Sequence, residues 1–190
     1  MIDLGTREAL TTMSLFPLAS FDLIANDEAD ALLVLWGHWL GACHRPFGRQ
    51  SFGLALERQI ISVAVSASTI NATCGGLPRQ EIVELARCAS HPHYRWATRV
   101  CLRLWRELAP ACWARKYWPV TACVSYSNAL RHTGNLYRFD GWTKVADVAG
   151  GTAGGNWSRG KKYDPKSVWV WSLAHNNDDV LIMRKPEGSP

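Results

Sequence analysis

Apolar positions change period several times along the chain, and each change marks an element. Residues 29–42, ADALLVLWGHWLGA, place Leu32, Leu35, Trp36 and Trp39 at helical spacing from about Asp30, with glycines near the end. Pro46 and Gly48 break regularity in the loop 43–51. Strict alternation then takes over. Phe52, Leu54 and Leu56 form one run, Ile61, Val63 and Val65 another, and Arg58 and Gln59 turn the chain between them, which predicts an antiparallel hairpin. Residues 70–79 carry loop chemistry, and 81–90 predict a strand anchored by Ile82 and Leu85. From Ala97 the helical period returns through Val100, Cys101, Leu104 and Leu108; Arg99, Arg103 and Arg106 project elsewhere and Pro110 ends the helix. Strands are predicted at 119–127, 142–150 and 167–173, a short interrupted helix at 128–142, and a glycine-rich basic loop at 151–167. The first 28 residues predict a leader segment, residues 29–175 one domain, and 176–190 a polar tail.

This order predicts an α/β fold, a mixed sheet flanked by helices. The strand–helix–strand unit across 84–124 makes two neighbouring strands parallel, and ligands gather at the carboxyl ends of such strands. That brings 88–96 next to 125–134, where unusual polar residues collect.

Composition narrows the class. Ten Trp and 47% hydrophobic residues in 190 exclude global disorder and suffice for one core. No run of eighteen apolar residues occurs, so no membrane partner is expected, and the acidic start argues against an export signal. A cytoplasmic location is expected. The six Cys form no CxxC pair and read as reduced core thiols. The formal charge of +5 is uneven: net −5 over residues 1–30, +7 over 31–120 and +3 over 121–190. A basic body suggests an anionic ligand or partner.

Two clusters carry candidate chemistry. In the junction ARCASHPHYRWATR, a strand runs into a helix whose first amides lack intrahelical partners, and Arg95 and Arg99 lie one turn apart. A phosphate or pyrophosphate suits this place, with Cys88, His91, Tyr94 and Trp96 beside it; ordinary solvated charges are the plainer reading. His91 and His93 lack a partner motif, so no metal site is assigned, and any metal requirement is left open. In SYSNALRHTGNLYRFDGW, Ser125 ends a strand, with Asn128, His132 and Tyr137 close behind. A Tyr held at hydrogen-bond distance can give a proton to a departing thiolate or alkoxide, or simply pack its helix on the sheet. No GxSxG elbow supports a hydrolase.

The second cluster resembles the signature N-x-x-A-x-x-x-Y-x-x-x-G-F of the Gcn5-related N-acetyltransferases. Tyr137, Gly141 and Trp142 match, whereas Leu130 and Thr133 stand at the Asn and Ala positions, and HPHYRWAT replaces the usual glycine loop. The resemblance implies a mostly antiparallel sheet with a central splayed parallel pair. Within that superfamily the chain resembles a divergent phage and prophage branch that includes the DNA-modification protein Mom. The matches are Phe52 and Gly53, residues 61–66, Glu84 to Arg87, Val124 to Tyr126, His132 to Gly134, Tyr137, and Gly141 with Trp142, across about 38–148. Asn128 or Ser127 holds the place of the usual Asp, and Gln59 that of the hairpin glycine.

The resemblance implies acetyl-CoA or another acyl-CoA as cofactor, held through Cys88, His91, Tyr94, Arg95, Trp96, Arg99, Asn128 and His132. Tyr137 would be the proton donor, with Ser125 and His44 on the acceptor side. The implied reaction is modification of adenine in phage DNA, to an N6-carbamoylmethyl derivative, which protects it from restriction. The partner is then double-stranded DNA or a flipped adenine. The loop residues Trp157, Arg159, Lys161, Lys162 and Tyr163 interleave cations with aromatic rings, as contact with phosphates and unpaired bases requires. Two other readings stand beside it: an N-acetyltransferase for a small amine or protein, and a non-catalytic DNA-binding accessory protein. A homodimer is left open.

Overall fold

The computed structural model describes residues 18–152 and 162–174. They build a seven-stranded sheet, antiparallel except at its centre. The α/β class, the mostly antiparallel sheet and the flanking helices agree with the sequence reading.

Strand β1 (Ala19–Ile24) lies where a leader was expected, paired to β2 (Arg49–Leu56) from Ala19↔Leu56 to Ile24↔Ser51. Phe21 stacks on Phe52 at 5.5 Å, while Ile24 packs with the core on the opposite face. Helix α1 (Asn26–Leu35) is shorter than its apolar spacing suggested. It stops because Gly37 takes a left-handed φ of 68°, and the amides of Gly37 and His38 bond the carbonyls of Val34 and Leu33 at 3.0 and 2.9 Å. Strand β3 (Gln59–Ala67) returns beside β2 through Glu57 and Arg58, not Arg58 and Gln59. Both turn residues are left-handed, with φ of 50° and 68°, in a two-residue link.

Short strands β4 (Thr73–Cys74) and β5 (Leu77–Pro78) form a small hairpin inside the expected loop. Strand β6 (Ile82–Ser90) pairs with β3 and bulges at Ala86, because Arg87 faces Val65 and Leu85 faces Ser66. Helix α2 (Ala97–Lys116) runs through Pro110. A proline inside a helix costs about 3 kcal/mol, but its neighbours Trp105, Ala109 and Trp113 are buried in the core, which offsets that cost. The buried stripe also differs from the expected one. Arg106 is inside and Asp140 receives its guanidinium at 2.8 Å, whereas Val100 and Leu108 are exposed. Strand β7 (Ala122–Asn128) is followed by the single turn α3 (Asn135–Arg138) and the edge strand β8 (Thr143–Val148). Strands β9 (Gly151–Thr152) and β10 (Lys162–Tyr163) pair with each other, and β11 (Lys166–Ser172) fills the place between β7 and β8.

The core has an α2 side, rich in Trp, and an α1 side built from Ala29, Leu33, Val63 and Val65. All six cysteines are free thiols. Among the described residues, no helix is long and apolar enough to cross a membrane.

Candidate active site

Strands β6 and β7 are parallel neighbours for four residue pairs, from Ile82↔Ala122 to Leu85↔Ser125. Beyond Leu85 they part. β6 continues along β3 to Ser90, and β7 continues along β11 to Asn128. A cleft of about 520 Å³ opens in the fork, which is the carboxyl end of the parallel pair.

A serine and a tyrosine close the base of the fork. Ser125 Oγ donates to the carbonyl of Leu85 at 3.0 Å and lies 2.9 Å from Tyr137 Oη. A hydroxyl has one proton and a carbonyl can only accept, so Tyr137 donates to Ser125. Burial pushes the Tyr137 phenol well above its ordinary pKa, so it keeps its proton throughout the physiological range.

The approach of α3 to the sheet explains why glycine stands at 134. Gly134 has a φ of 75°, and a Cβ there would sit 3.0 Å from Trp169 Cη2 and closer still to Cζ2. Trp169 then stacks on Tyr137 at 5.4 Å and donates through Nε1 to Ser127 Oγ at 2.9 Å. The segment FDGW adds a buried carboxylate. Asp140 accepts from Trp142 Nε1 and Arg103 Nε at 3.1 Å each and pairs with Arg106.

Of the residues expected to act, Ser125, Tyr137, Cys88, Asn128 and His132 line the cleft. Cys88 and Asn128 are also committed to structure. Cys88 Sγ and Ser90 Oγ lie 3.8 and 2.7 Å from the Thr98 carbonyl and hydroxyl, which ties the first turn of α2 to β6. Asn128 donates to Asp164 at 2.7 Å and accepts from the Leu130 amide at 2.9 Å, fixing the loop after β7.

His44 is exposed and outside the lining, because the chain leaves α1 seven residues earlier than the expected helix end at 42 and brings His38 to the cleft instead. His91 is also outside the cleft. It packs edge-on to Trp36 at 6.1 Å and beside His93 and Tyr94. Arg95 and Trp96 are exposed at the start of α2, and Arg99 donates to the Phe139 carbonyl at 3.3 Å. A 3₁₀ turn, Pro92–Tyr94, takes the place of a glycine loop there. Lys162 and Tyr163 are exposed on β10, while Trp157, Arg159 and Lys161 lie outside the described residues.

Four lining residues escaped sequence reading: His38, Trp39, Arg87 and Arg131. The signal for the first two was Gly37, which ends α1 just before them. His38 Nδ1 accepts from the Leu40 amide at 3.3 Å, so its other ring nitrogen carries the proton. Burial, then the charges of Arg87 and His132, pull its pKa down to about 4, which leaves it neutral at pH 7. Arg131 lies over the Trp39 ring at 5.3 Å, joining the two loops across the mouth of the cleft. Among the described residues, no cluster of three or more His, Cys, Asp or Glu is arranged to hold a metal ion.

This sheet order, forked at its parallel pair beneath a helix, is the fold of the Gcn5-related N-acetyltransferases. Among solved structures, the ribosomal-protein-S18-alanine N-acetyltransferase from Escherichia coli is similar at 10% identity, over 86% of this chain and 99% of that one, with a TM-score of 0.58. A putative acetyltransferase, yncA, from Salmonella typhimurium with its cofactor acetyl-CoA is similar at 11% identity, over 86% and 99%, with a TM-score of 0.56. Arabidopsis thaliana NAA60 in complex with acetyl-CoA is similar at 8% identity, over 82% and 99%, with a TM-score of 0.53. No family model and no curated protein sequence matches the chain.

Proposed function

We propose that the chain is an acyl-CoA-dependent N-acyltransferase. The observation that carries this reading is the fork itself, with a protonated tyrosine clasped at its base. Among the described residues, β6 has no strand neighbour on this edge beyond Leu85, and such an edge offers amides and carbonyls to a ligand with amide groups of its own. The first turn of α2 has no side-chain cap, and with Arg95 and Arg99 nearby it suits a pyrophosphate. These features fit acetyl-CoA, which two of the similar structures contain.

Bound acetyl-CoA supplies a thioester acyl group. Transfer forms a C–N bond at the acyl carbon and breaks the C–S bond. Tyr137 Oη would turn from Ser125 to give its proton to the departing sulfur, while the Ser125 hydroxyl turns from the Leu85 carbonyl to donate to the phenolate; the nitrogen's surplus proton would pass to water, and Tyr137 would regain its own from solvent. Ser125 holds the phenol in place through the 2.9 Å bond. His38, neutral at pH 7, adds no charge to repel an amine.

A narrower reading makes N6 of adenine in DNA the acceptor; a carbamoylmethyl product joins N6 to a methylene carbon, so it needs more than simple acyl transfer. Its support is the phage-branch pattern around Ser125, Gly134, Tyr137 and Gly141, together with the exposed Lys162 and Tyr163. Calorimetric titration with acetyl-CoA tests the broader proposal: wild type binds, Arg95→Ala binds about tenfold more weakly, and no binding by wild type refutes it. Mass spectrometry of nucleosides from expressing cells tests the narrower one, which requires a modified adenosine. DNA binding without acetyl-CoA binding would instead support an accessory protein.

A further inference from the structure

Among the described residues, the lining of the cleft contains no Asp or Glu, yet it includes Arg87, Arg131, His38 and His132. The carboxylates nearest Arg87 already have partners. Asp30 holds Arg49 through bonds of 2.7 and 2.8 Å, and the buried Glu84 holds Arg45. Among the described residues, the half-buried Arg87 guanidinium therefore forms no ion pair and donates to carbonyls: Gly41 at 3.2 Å, Ala86 at 2.7 Å and Ala42 at 3.4 Å. A guanidinium has five N–H donors, so some remain to face a ligand. Glu84 and Asp30 act on Arg87 only at a distance, and a partly desolvated cation without a direct ion pair is costly; an anion brought to it recovers that cost.

Two further observations agree. Arg131, on the opposite rim, forms no ion pair among the described residues and rests only against Trp39. His38 reports the local potential. After burial, the largest influences that hold it neutral are Arg87 and then His132. The charge in the cleft is thus a surplus left by the ion pairs around it.

We propose that the acceptor side of this cleft reads an anionic group on the acceptor amine, a carboxylate or a phosphate, with Arg87 as inner anchor and Arg131 as outer anchor. The proposal rests on the acyltransferase reading and adds a substrate class to it. Amines that carry their own negative charge are selected, and polyamines are repelled by like charge. Cofactor phosphates would also be drawn to cations, so the test separates the two ligands.

Thiol release from acetyl-CoA is measured with matched acceptors: glycine against glycinamide, 2-aminoethyl phosphate against ethanolamine, deoxyadenosine monophosphate against deoxyadenosine, and spermidine. The expected result is a preference of about tenfold or more in kcat/KM for the anionic member of at least one pair. The pair that responds tells carboxylate from phosphate, and a nucleotide from a simple amine. Arg131→Ala, an exposed change, is expected to remove most of that preference while the Kd for acetyl-CoA stays within about twofold. Arg87→Met reports the inner anchor, with urea unfolding as the check that it folds. Equal or faster reaction of neutral and cationic acceptors overturns the proposal, as does acetyl-CoA binding without transfer to any member. A weakened Kd for acetyl-CoA in Arg131→Ala with unchanged acceptor preference overturns it too. Failure of wild type to bind acetyl-CoA removes the acyltransferase reading itself.

Discussion

Gly134→Ala tests the geometry of the site most directly. Gly134 has a φ of 75°, and a new Cβ would meet the Trp169 indole, at 3.0 Å from Cη2 and 3.1 Å from Cε2. Two costs add. A Cβ in the left-handed region costs about 1–2 kcal/mol, and forcing a methyl into a packed contact costs about 1–3 kcal/mol more. The sum is about 2–5 kcal/mol. The indole cannot give way cheaply, because it is bonded to Ser127 and stacked on Tyr137. Strain there displaces the phenol that meets Ser125. Gly41→Ala separates the two costs, since Gly41 has a φ of 57° and nothing lies within 4 Å of its would-be Cβ. Urea unfolding of the two variants, read as midpoint and slope, should show Gly41→Ala losing about 1 kcal/mol and Gly134→Ala clearly more. Acetyl-CoA titration should weaken only for Gly134→Ala. Equal losses in the two variants would refute the claim that close approach to Trp169 fixes the glycine.

Tyr137→Phe should lower kcat for thiol release about a hundredfold, with little change in KM, and cost about 1 kcal/mol of stability for the lost bond to Ser125; kcat within twofold of wild type removes the proton-donor role. His38 should make the fold acid-labile. Its folded pKa of about 4 lies below the unfolded 6.5, so the unfolded chain takes up the proton first as pH falls. That stability is complete above pH 6.5 and lost progressively toward pH 4. The loss is at most about 3 kcal/mol and about half that for a ring that water partly reaches. Unfolding of His38→Asn against wild type at pH 4 to 7 measures it, and identical pH slopes refute it. Replacing the turn residues Glu57 and Arg58 with Asn and Gly should stabilise the protein by about 1 kcal/mol or more in thermal unfolding; no gain means the turn holds no strain.

The strand–helix–strand unit was legible because its signals are local and strong: a short apolar run, a long helical period and a β-branched strand. From it the nearness of the end of β6 to 125–134 followed, and Cys88 and Ser125 both line the fork, whereas His91, Arg95 and Trp96 lie outside it. Other features depend on distant partners. Ala19, Phe21 and Leu23 alternate with Ser20 and Asp22, but the run is short and Ile24 breaks it to serve the opposite face, so β1 signals itself only once β2 is there to pair with it. Arg106 reads as a surface charge until the fold supplies Asp140. Pro110 ends a helix in isolation but not when Trp113 beyond it has a core to enter. His38 is not legible as a lining residue because both Gly37 and Gly41 suit a helix terminus, and only backbone geometry tells which one ends α1. The surplus charge of Arg87 is less legible still, since it appears only after the neighbouring carboxylates have been assigned to Arg45 and Arg49.

The four-pair seam between β6 and β7 also has a mechanical meaning. The sheet consists of two blades, β1-β2-β3-β6 and β7-β11-β8, and their shared ladder stops partway along both strands. A ligand lodged in the gap bonds at the open end of this lever, far from the pivot, where small forces set the angle between the blades. Occupancy should therefore stiffen the whole sheet, seen as slower amide hydrogen exchange at residues 86–90 and 126–128 together. The width of the gap can likewise change through substitutions at the pivot, leaving the packing inside either blade intact.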